Sequence, residues 1–185
     1  MIIIGISGTL GAGKGTIVDY LVKNKDFSHF SARGFLIEEI ERRELKINRD
    51  NMVVVANDLR AKNSPSYVAD KLFERAVESG DNCVIESLRT VGEIESLREK
   101  GDFVLLAVDA DPKIRYERIS ERKSSTDDVS FDEFLNNEKR EMENNDPNKQ
   151  NLKKCIEMAD FLIKNNGSLE DLNKRIEEIL KIVKI

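Results

Sequence analysis

The sequence has few of the residues that build disulfide frameworks and metal sites. It contains two cysteines and one histidine. Cys83 and Cys155 lie far apart in apolar surroundings without a CxxC spacing, so we expect reduced thiols in the core of a cytosolic protein. His29 lies in an alternating pattern typical of a strand and has no partner motif. We expect it to be a structural residue rather than a base or a metal ligand.

An excess of basic charge and long apolar runs are also absent. The 30 basic and 35 acidic residues are interspersed and give a formal charge of -5, which argues against a dedicated nucleic-acid-binding protein. No apolar run approaches the ~20 residues that cross a bilayer. The first run, residues 1–6, has the length of a strand, lacks a basic flank and leads into glycines, unlike a signal peptide. We therefore expect a cytoplasmic protein whose partners include neither nucleic acid nor a membrane.

The chain alternates short apolar runs with amphipathic segments, and we expect one domain over residues 1–185. The strand candidates are residues 2–7, 27–31, 83–86, 103–109 and 161–164. Helix starts are marked by Ser64 before Pro65, by Asp111 before Pro112, and by capping boxes at Thr90/Glu93, Ser130/Glu133 and Ser168/Asp171. This alternation predicts a three-layer α/β fold, in which a parallel five-stranded sheet carries helices on both faces.

A glycine-rich segment follows the first strand directly and opens a helix. Its key positions are Gly8, Gly11, Ala12, Gly13, Lys14, Gly15 and Thr16. Such glycines let backbone amides point inward as an anion cradle at the positive end of the helix, and Lys14 can reach the β- and γ-phosphates of ATP. The usual pattern has Ser or Thr directly after the lysine, whereas this chain has Gly15 there and Thr16 next. We therefore expect Mg²⁺ to be held mainly by the phosphates, water and a distant carboxylate, and Thr16 to lie near the α-phosphate.

The other candidate residues follow from where the strands end, because sites of open parallel sheets lie outside the carboxyl ends of the strands. Glu86 falls there, and we interpret it as functional. Asp109 also falls there, but we interpret Asp109 and Asp111 as leading into and capping the helix at Pro112. Arg89, in the loop that enters the next helix, is well placed to hold an acceptor phosphate. An arginine at a helix start runs against the local dipole preference, which favours a functional role.

Further arginines have two interpretations each. Arg60 can join Arg89 in binding the acceptor, or it can be a surface residue of a helix. Arg115, Arg118 and Arg122 share one helix face, either as part of the site or as a solvated basic stripe. The polar residues 123–130 and 141–151 flank a short helix, and we expect a helical lid over about residues 123–145.

Several motifs in order give the chain a resemblance to a known family. These are GxxGxGKGT at the N-terminus, Glu86 with Arg89 after the third strand, the arginine-rich helix before a lid, and the ending from Ala159 to Ser168. From Ile2 to about Leu180 the chain resembles the adenylate-kinase-like P-loop nucleotide kinases, in particular an archaeal-type branch described as nucleotide or dephospho-CoA kinase-like.

The resemblance implies roles for individual residues. Glu86 would be a catalytic acid that binds the metal through water or lies on the acceptor side. Arg33 would hold the acceptor phosphate, within an acceptor-binding insertion at about residues 33–80. Arg118 and Arg122 would neutralise the transferring phosphoryl group, with Arg140 as a weaker addition. The loop at Asn165, Asn166 and Gly167 would pack around the nucleotide base, although such a turn needs no ligand to form.

These expectations combine into a functional prediction, namely an ATP- and Mg²⁺-dependent kinase that phosphorylates a nucleoside or deoxynucleoside monophosphate. A dephospho-CoA kinase and an ATPase that acts as a regulator or assembly factor are the alternatives. A GTPase is disfavoured because no N/TKxD motif follows a late strand.

Overall fold

The short apolar runs form the strands of one sheet in the computed structural model, which describes residues 1–122 and 129–185. The strands are β1 (Ile2–Gly8), β2 (Ser28–Ser31), β3 (Cys83–Glu86), β4 (Asp102–Asp109) and β5 (Phe161–Lys164). They pair in parallel throughout, in the order β2-β3-β1-β4-β5. The expected parallel five-stranded sheet is confirmed, with small differences in the bounds of β1, β2 and β4.

Helices connect the strands and cover both faces of the sheet. They are α1 (Lys14–Lys25), α2 (Ala32–Arg42), α3 (Arg49–Lys62), α4 (Tyr67–Ser79), α5 (Val91–Lys100), α6 (Pro112–Arg122), α7 (Phe131–Met142), α8 (Leu152–Glu157) and α9 (Leu169–Ile182). Within the described parts of the chain, none of these helices has both the length and the apolar character needed to cross a membrane.

Two apolar clusters, one on each face, hold the three layers together. Alternation along β1 sends Ile3 to the cluster with α4, α5 and α8, and sends Ile4 and Ile6 to the cluster with α1 and α9. These side chains are at most 1% exposed, and burying each one contributes roughly 1.5–3 kcal/mol. Cys83 and Cys155 are free and buried as expected, and burial raises the pKa of these thiols to about 11 and about 12.

Local capping signals specify where several helices begin. All three expected capping boxes are present, at Thr90, Ser130 and Ser168. The signal at Ser64 and Pro65 instead forms a turn before α4, because the Tyr67 amide donates to the Ser64 carbonyl at 3.1 Å. Helix α4 therefore begins at Tyr67.

Parallel pairing brings the carboxyl ends of all strands to one edge. There the Ser31 hydroxyl donates to Glu86 at 2.6 Å, and Lys164 donates to Asp109 at 2.6 Å. The interpretation of Asp109 as part of a helix cap is wrong, because its carboxylate is engaged by Lys164 and by Thr9 from the loop after β1. Asp111 does act as the cap and accepts a hydrogen bond from the Lys113 amide at 3.0 Å.

The two expected insertions correspond to different parts of this fold. Residues 33–80 include most of α2 and all of α3 and α4, and α4 packs on β2 and β3 within the core layer. The expected lid includes α7, whereas residues 123–128 lie outside the described residues. The extents of both insertions stay predictions.

The end of β1 supplies a test of the close contact between β1 and β4. A Cβ added at Gly8, where φ is +140°, would lie 2.0 Å from the Val108 carbonyl oxygen, whereas a Cβ at Gly15 in α1 meets nothing within 4 Å. We expect Gly8→Ala to lower the free energy of unfolding by about 2–4 kcal/mol. Gly15→Ala, the matched control, should raise it by up to about 1 kcal/mol because alanine favours helix. Equilibrium urea unfolding measures the free energy of unfolding of both variants. Equal values for the two variants would contradict a close contact between Gly8 and Val108.

Candidate active site

The loop between β1 and α1 has the conformation of an anion cradle. Gly11 and Gly13 adopt positive φ values of 78° and 109°. A Cβ at Gly13 would lie 2.4 Å from the side-chain nitrogen of Asn165, so this position requires glycine. Gly13 also precedes α1 without a side-chain cap, which leaves the first helical amides available to an anion.

Side chains from distant elements hold this loop in place. The contacts are Thr9 Oγ1 to Asp109 Oδ1 at 2.8 Å, Asn165 Nδ2 to the Ala12 carbonyl at 2.8 Å, and Arg115 Nη1 to the Leu10 carbonyl at 3.2 Å. The cradle is therefore fixed by the ends of β4 and β5 and by α6. Gly8 and Ala12 are buried beneath it.

Lys14 folds back on the carbonyls of its own loop. Its ammonium group donates to Gly8 at 3.0 Å and to Thr9 at 2.8 Å. Burial lowers the pKa of Lys14 to about 7, with a further contribution from the positive charge of Arg89. The group is thus close to losing its proton near neutral pH, and an anion in the cradle would oppose that loss.

The loop opens into a cavity of about 850 Å³ whose lining is rich in cations. Among the described residues, the cationic side chains that line it are Lys14, Arg33, Arg49, Arg60, Arg89, Arg118 and Arg122. The carboxylates of the lining are Asp19, Glu86 and Glu141. A concave site with this excess of positive charge suits phosphorylated ligands.

Glu86 lies at the end of β3 beside the loop. Its carboxylate accepts hydrogen bonds from the hydroxyls of Ser31 and Ser87, which fix its orientation. In residues 1–122 and 129–185, no three His, Cys, Asp or Glu side chains group as a metal site. Two oxygen donors of the lining, Glu86 and the Thr16 hydroxyl, fit a Mg²⁺ ion that keeps phosphate and water as its main ligands.

The arginines expected on the acceptor side all line the cavity. Arg89 donates to Glu141 and, at 2.9 Å, to Gln150. Arg33 approaches the Met52 sulfur at 3.7 Å. The alternative that Arg60 is a surface residue is wrong, because its side chain is 2% exposed and forms a two-fold contact with Glu93.

The arginines of α6 divide into a structural one and two that face the cavity. Arg118 and Arg122 line the cavity, and Arg118 also donates to the Asn165 carbonyl at 3.1 Å. Arg115 is buried and pairs with Glu138 of α7. The alternative of a solvated stripe is therefore wrong for Arg115, whereas the roles of Arg118 and Arg122 stay predictions. Arg140 is 62% exposed and does not line the cavity; its guanidinium lies 3.5 Å from Asp50.

The loop after β5 is not brought to the cavity. Asn165 is buried against the phosphate-binding loop, as described above. Asn166 accepts a hydrogen bond from the Asp111 amide at 2.8 Å, and Gly167 lies against Asp171. Neither Asn166 nor Gly167 lines the cavity, so the proposed contact with a nucleotide base stays a prediction.

Sequence reasoning missed several residues of the lining. Arg49, Glu141 and Gln150 were not singled out, and His29, expected to be structural only, lines the cavity with Nε2 3.9 Å from Glu86. A usable signal existed for two of them. Arg49 is the first residue of α3 and Glu141 lies in the last turn of α7, so both charges oppose the helix dipole, as Arg89 does.

Comparison with known proteins agrees with this architecture. A UPF0200/UPF0201 protein of Archaeoglobus fulgidus is 35% identical over 149 residues, which is 77% of this chain, and the chain spans only 44% of that protein. A UPF0200 protein of Staphylothermus marinus is 28% identical over 181 residues, covering 98% of this chain and 92% of the relative. The crystal structure of shikimate kinase from Bacteroides thetaiotaomicron superposes with a TM-score of 0.56 at 14% identity, covering 100% of this chain and 99% of that one.

The similarity to shikimate kinase shows the fold alone, and that fold is the P-loop kinase-like α/β fold. The family model described as AAA domain matches residues 4–146 of the 185. The chain therefore belongs to the AAA domain family and has a P-loop kinase-like fold.

Proposed function

We propose that this protein is an ATP-dependent nucleotide kinase that phosphorylates a nucleoside or deoxynucleoside monophosphate, as the adenylate-kinase-like enzymes do. The observation that carries the proposal is that one cavity joins a phosphate-binding loop to a second group of arginines, Arg33, Arg49 and Arg89. A kinase for phosphorylated acceptors needs two such anion sites next to each other.

In this proposal the residues of the cavity have different roles in phosphoryl transfer. The loop amides and Lys14 hold the β- and γ-phosphates, while Arg118 and Arg122 stabilise the charge on the transferring group. An acceptor phosphate oxygen forms the new P–O bond as the bond to the leaving ADP oxygen breaks. Mg²⁺, bound with ATP near Glu86 and Thr16, would neutralise phosphate charge.

A kinase that phosphorylates a hydroxyl group is the second candidate. Glu141 already pairs with Arg49 and Arg89, which reduces the positive charge available to an acceptor phosphate. Dephospho-CoA, phosphorylated on a ribose hydroxyl, is such an acceptor, and the structurally similar shikimate kinase is named for a non-nucleotide acceptor.

A panel of acceptors with ATP and Mg²⁺ tests the proposal. We expect at least one nucleoside or deoxynucleoside monophosphate to accelerate ADP formation and to be phosphorylated. Lys14→Ala should lower this rate at least about a hundredfold because the phosphate charge loses its cation. Lys23→Ala is the matched control, since Lys23 lies on the same helix with a 73% exposed side chain.

Two outcomes of this panel would reject the monophosphate assignment. Phosphorylation of dephospho-CoA alone would favour the hydroxyl kinase. A rate of ADP formation that no small acceptor increases but that a macromolecule does increase would favour a regulator or assembly factor. Full activity in a folded Lys14→Ala variant would reject the role of the loop.

We expect Arg89→Ala to weaken binding of the acceptor far more than binding of ATP. Loss of a charge-assisted hydrogen bond of roughly 1.5–3 kcal/mol predicts an acceptor KM at least about tenfold higher. The KM for ATP should change less than about threefold. Arg175→Ala serves as the control because Arg175 pairs with Glu178 at 2.9 Å on α9, outside the cavity. Equal effects on both KM values would contradict an acceptor role for Arg89.

The lowered pKa of Lys14 predicts proton uptake when ATP binds. With a pKa of about 7, we expect a substantial fraction of Lys14 to be neutral at pH 7 in the free protein. Bound phosphates favour the ammonium form and raise this pKa, so uptake should increase from near zero at pH 6 to near one proton at pH 8.5. The affinity for MgATP should accordingly fall above pH 7, by up to about tenfold per pH unit.

Calorimetry in buffers of different ionisation enthalpy measures this uptake. Lys14→Arg is the control, because its guanidinium stays protonated and should bind MgATP without taking up a proton. A wild-type protein that takes up no proton at pH 8 would show that Lys14 is already fully charged in the free state.

A further inference from the structure

Helix α7 carries two carboxylates on successive turns that contact different parts of the active site. Glu138 pairs with Arg115, which donates in turn to the carbonyl of Leu10 in the phosphate-binding loop. Phe134 packs against Tyr116 of α6 with ring centroids 5.7 Å apart. The part of α7 around Phe134 and Glu138 is therefore packed against α6 and connected through Arg115 to the phosphate-binding loop.

Glu141, three residues later, reaches the acceptor side of the cavity. It is 6% exposed and accepts from Arg49 Nη2 at 2.5 Å and from Arg89 Nη1. Burial alone would raise the pKa of Glu141, but the charges of Arg89 and Arg49 bring it below its ordinary value. The side chain is therefore a carboxylate anion held between two guanidinium groups.

This is the arrangement that two arginines form around a bound phosphate. Two arginines of the lining also have one donor each that the described residues do not use. Arg49 Nε and Arg60 Nη1 are buried and have no hydrogen-bond partner among the residues that the structure describes. Buried N–H groups of this kind are normally paired, so the hydrogen bonds of these two guanidinium groups are incomplete in the described part of the chain.

We propose that Glu141 is an internal competitor for the acceptor phosphate. It holds Arg49 and Arg89 while the acceptor site is empty, and the phosphate of a nucleoside monophosphate displaces it. The inference rests on the proposed function and adds a specificity filter to it. A neutral nucleoside cannot displace a carboxylate from two arginines, whereas a dianionic phosphate can. Because Glu138 keeps α7 on Arg115, the displacement also links acceptor binding to the phosphate-binding loop.

The test is the affinity of Glu141→Gln for acceptors, measured by calorimetry with the loop filled by a non-hydrolysable ATP analogue and Mg²⁺. We expect AMP, GMP, CMP or UMP, whichever the wild type binds, to bind about tenfold more tightly to the variant. The factor should be the same for each base because it arises from the phosphate. Adenosine, which has no phosphate, should bind the variant and the wild type with the same affinity.

Glu143→Gln is the matched control. It removes one negative charge two residues further on, where Glu143 is 70% exposed and lies 3.4 Å from Lys153, and it should leave these affinities unchanged. A purely structural Glu141 would give weaker binding when altered. Unchanged or weaker monophosphate binding by Glu141→Gln would therefore overturn the inference while leaving the kinase proposal in place. If neither protein binds any of the four monophosphates or any deoxynucleoside monophosphate, the proposed function and the inference both fail.

Hydrogen exchange of the wild-type protein gives a measurement that does not depend on how the variant folds. Displacement of Glu141 should make the amides of residues 139–143 exchange several-fold faster when a monophosphate is bound. Equal or slower exchange with the monophosphate bound would show that Glu141 stays on its arginines, and would overturn the inference.

Discussion

Mutual repulsion among the cations of one cavity is the constraint on which this structure depends. In the described part of the chain, seven cationic side chains line this cavity, and unpaired like charges in a partly desolvated space are costly. Two features of the structure reduce this repulsion. Carboxylates neutralise some of the cations, as Glu93 does for Arg60 and Glu141 for Arg49 and Arg89. Lys14 instead has a pKa lowered to about 7, so part of its charge is absent until an anion arrives.

The same carboxylates also organise the fold. Glu93 uses one oxygen for Arg60, and its other oxygen accepts from the amides of Arg89 and Thr90 at 2.8 and 3.1 Å. It therefore caps α5, positions the loop that carries Arg89 and neutralises a cavity arginine at once. Arg115 has a comparable double role, since it joins α7 to the phosphate-binding loop. Removing either side chain would disturb packing and charge together.

Charges placed against helix dipoles are the most useful sequence signal in this protein. Arg89 was identified on this basis, and Arg49 at the start of α3 and Glu141 at the end of α7 follow the same rule. An unfavourable local position indicates that something outside the helix compensates for it. Here the three residues compensate one another across the cavity. The same reasoning does not reach His29, whose strand position is ordinary although it lines the cavity.

The sequence by itself determined the three-layer fold, the glycine-rich loop and several helix starts, because these depend on periodicity, glycine spacing and capping within short segments. It also led to Arg89, through its place after a strand end, and, through the family resemblance, to Arg33, Arg118 and Arg122, all of which line the cavity. Only the tertiary structure decided that Asp109 anchors the loop, that Arg60 is buried on Glu93, and that Asn166 and Gly167 lie outside the cavity lining. It alone brought Glu141 to Arg49 and Arg89, which are 92 and 52 residues away in the chain. Such partners are chosen by how α3, α5 and α7 pack on the sheet, and no local pattern encodes that packing.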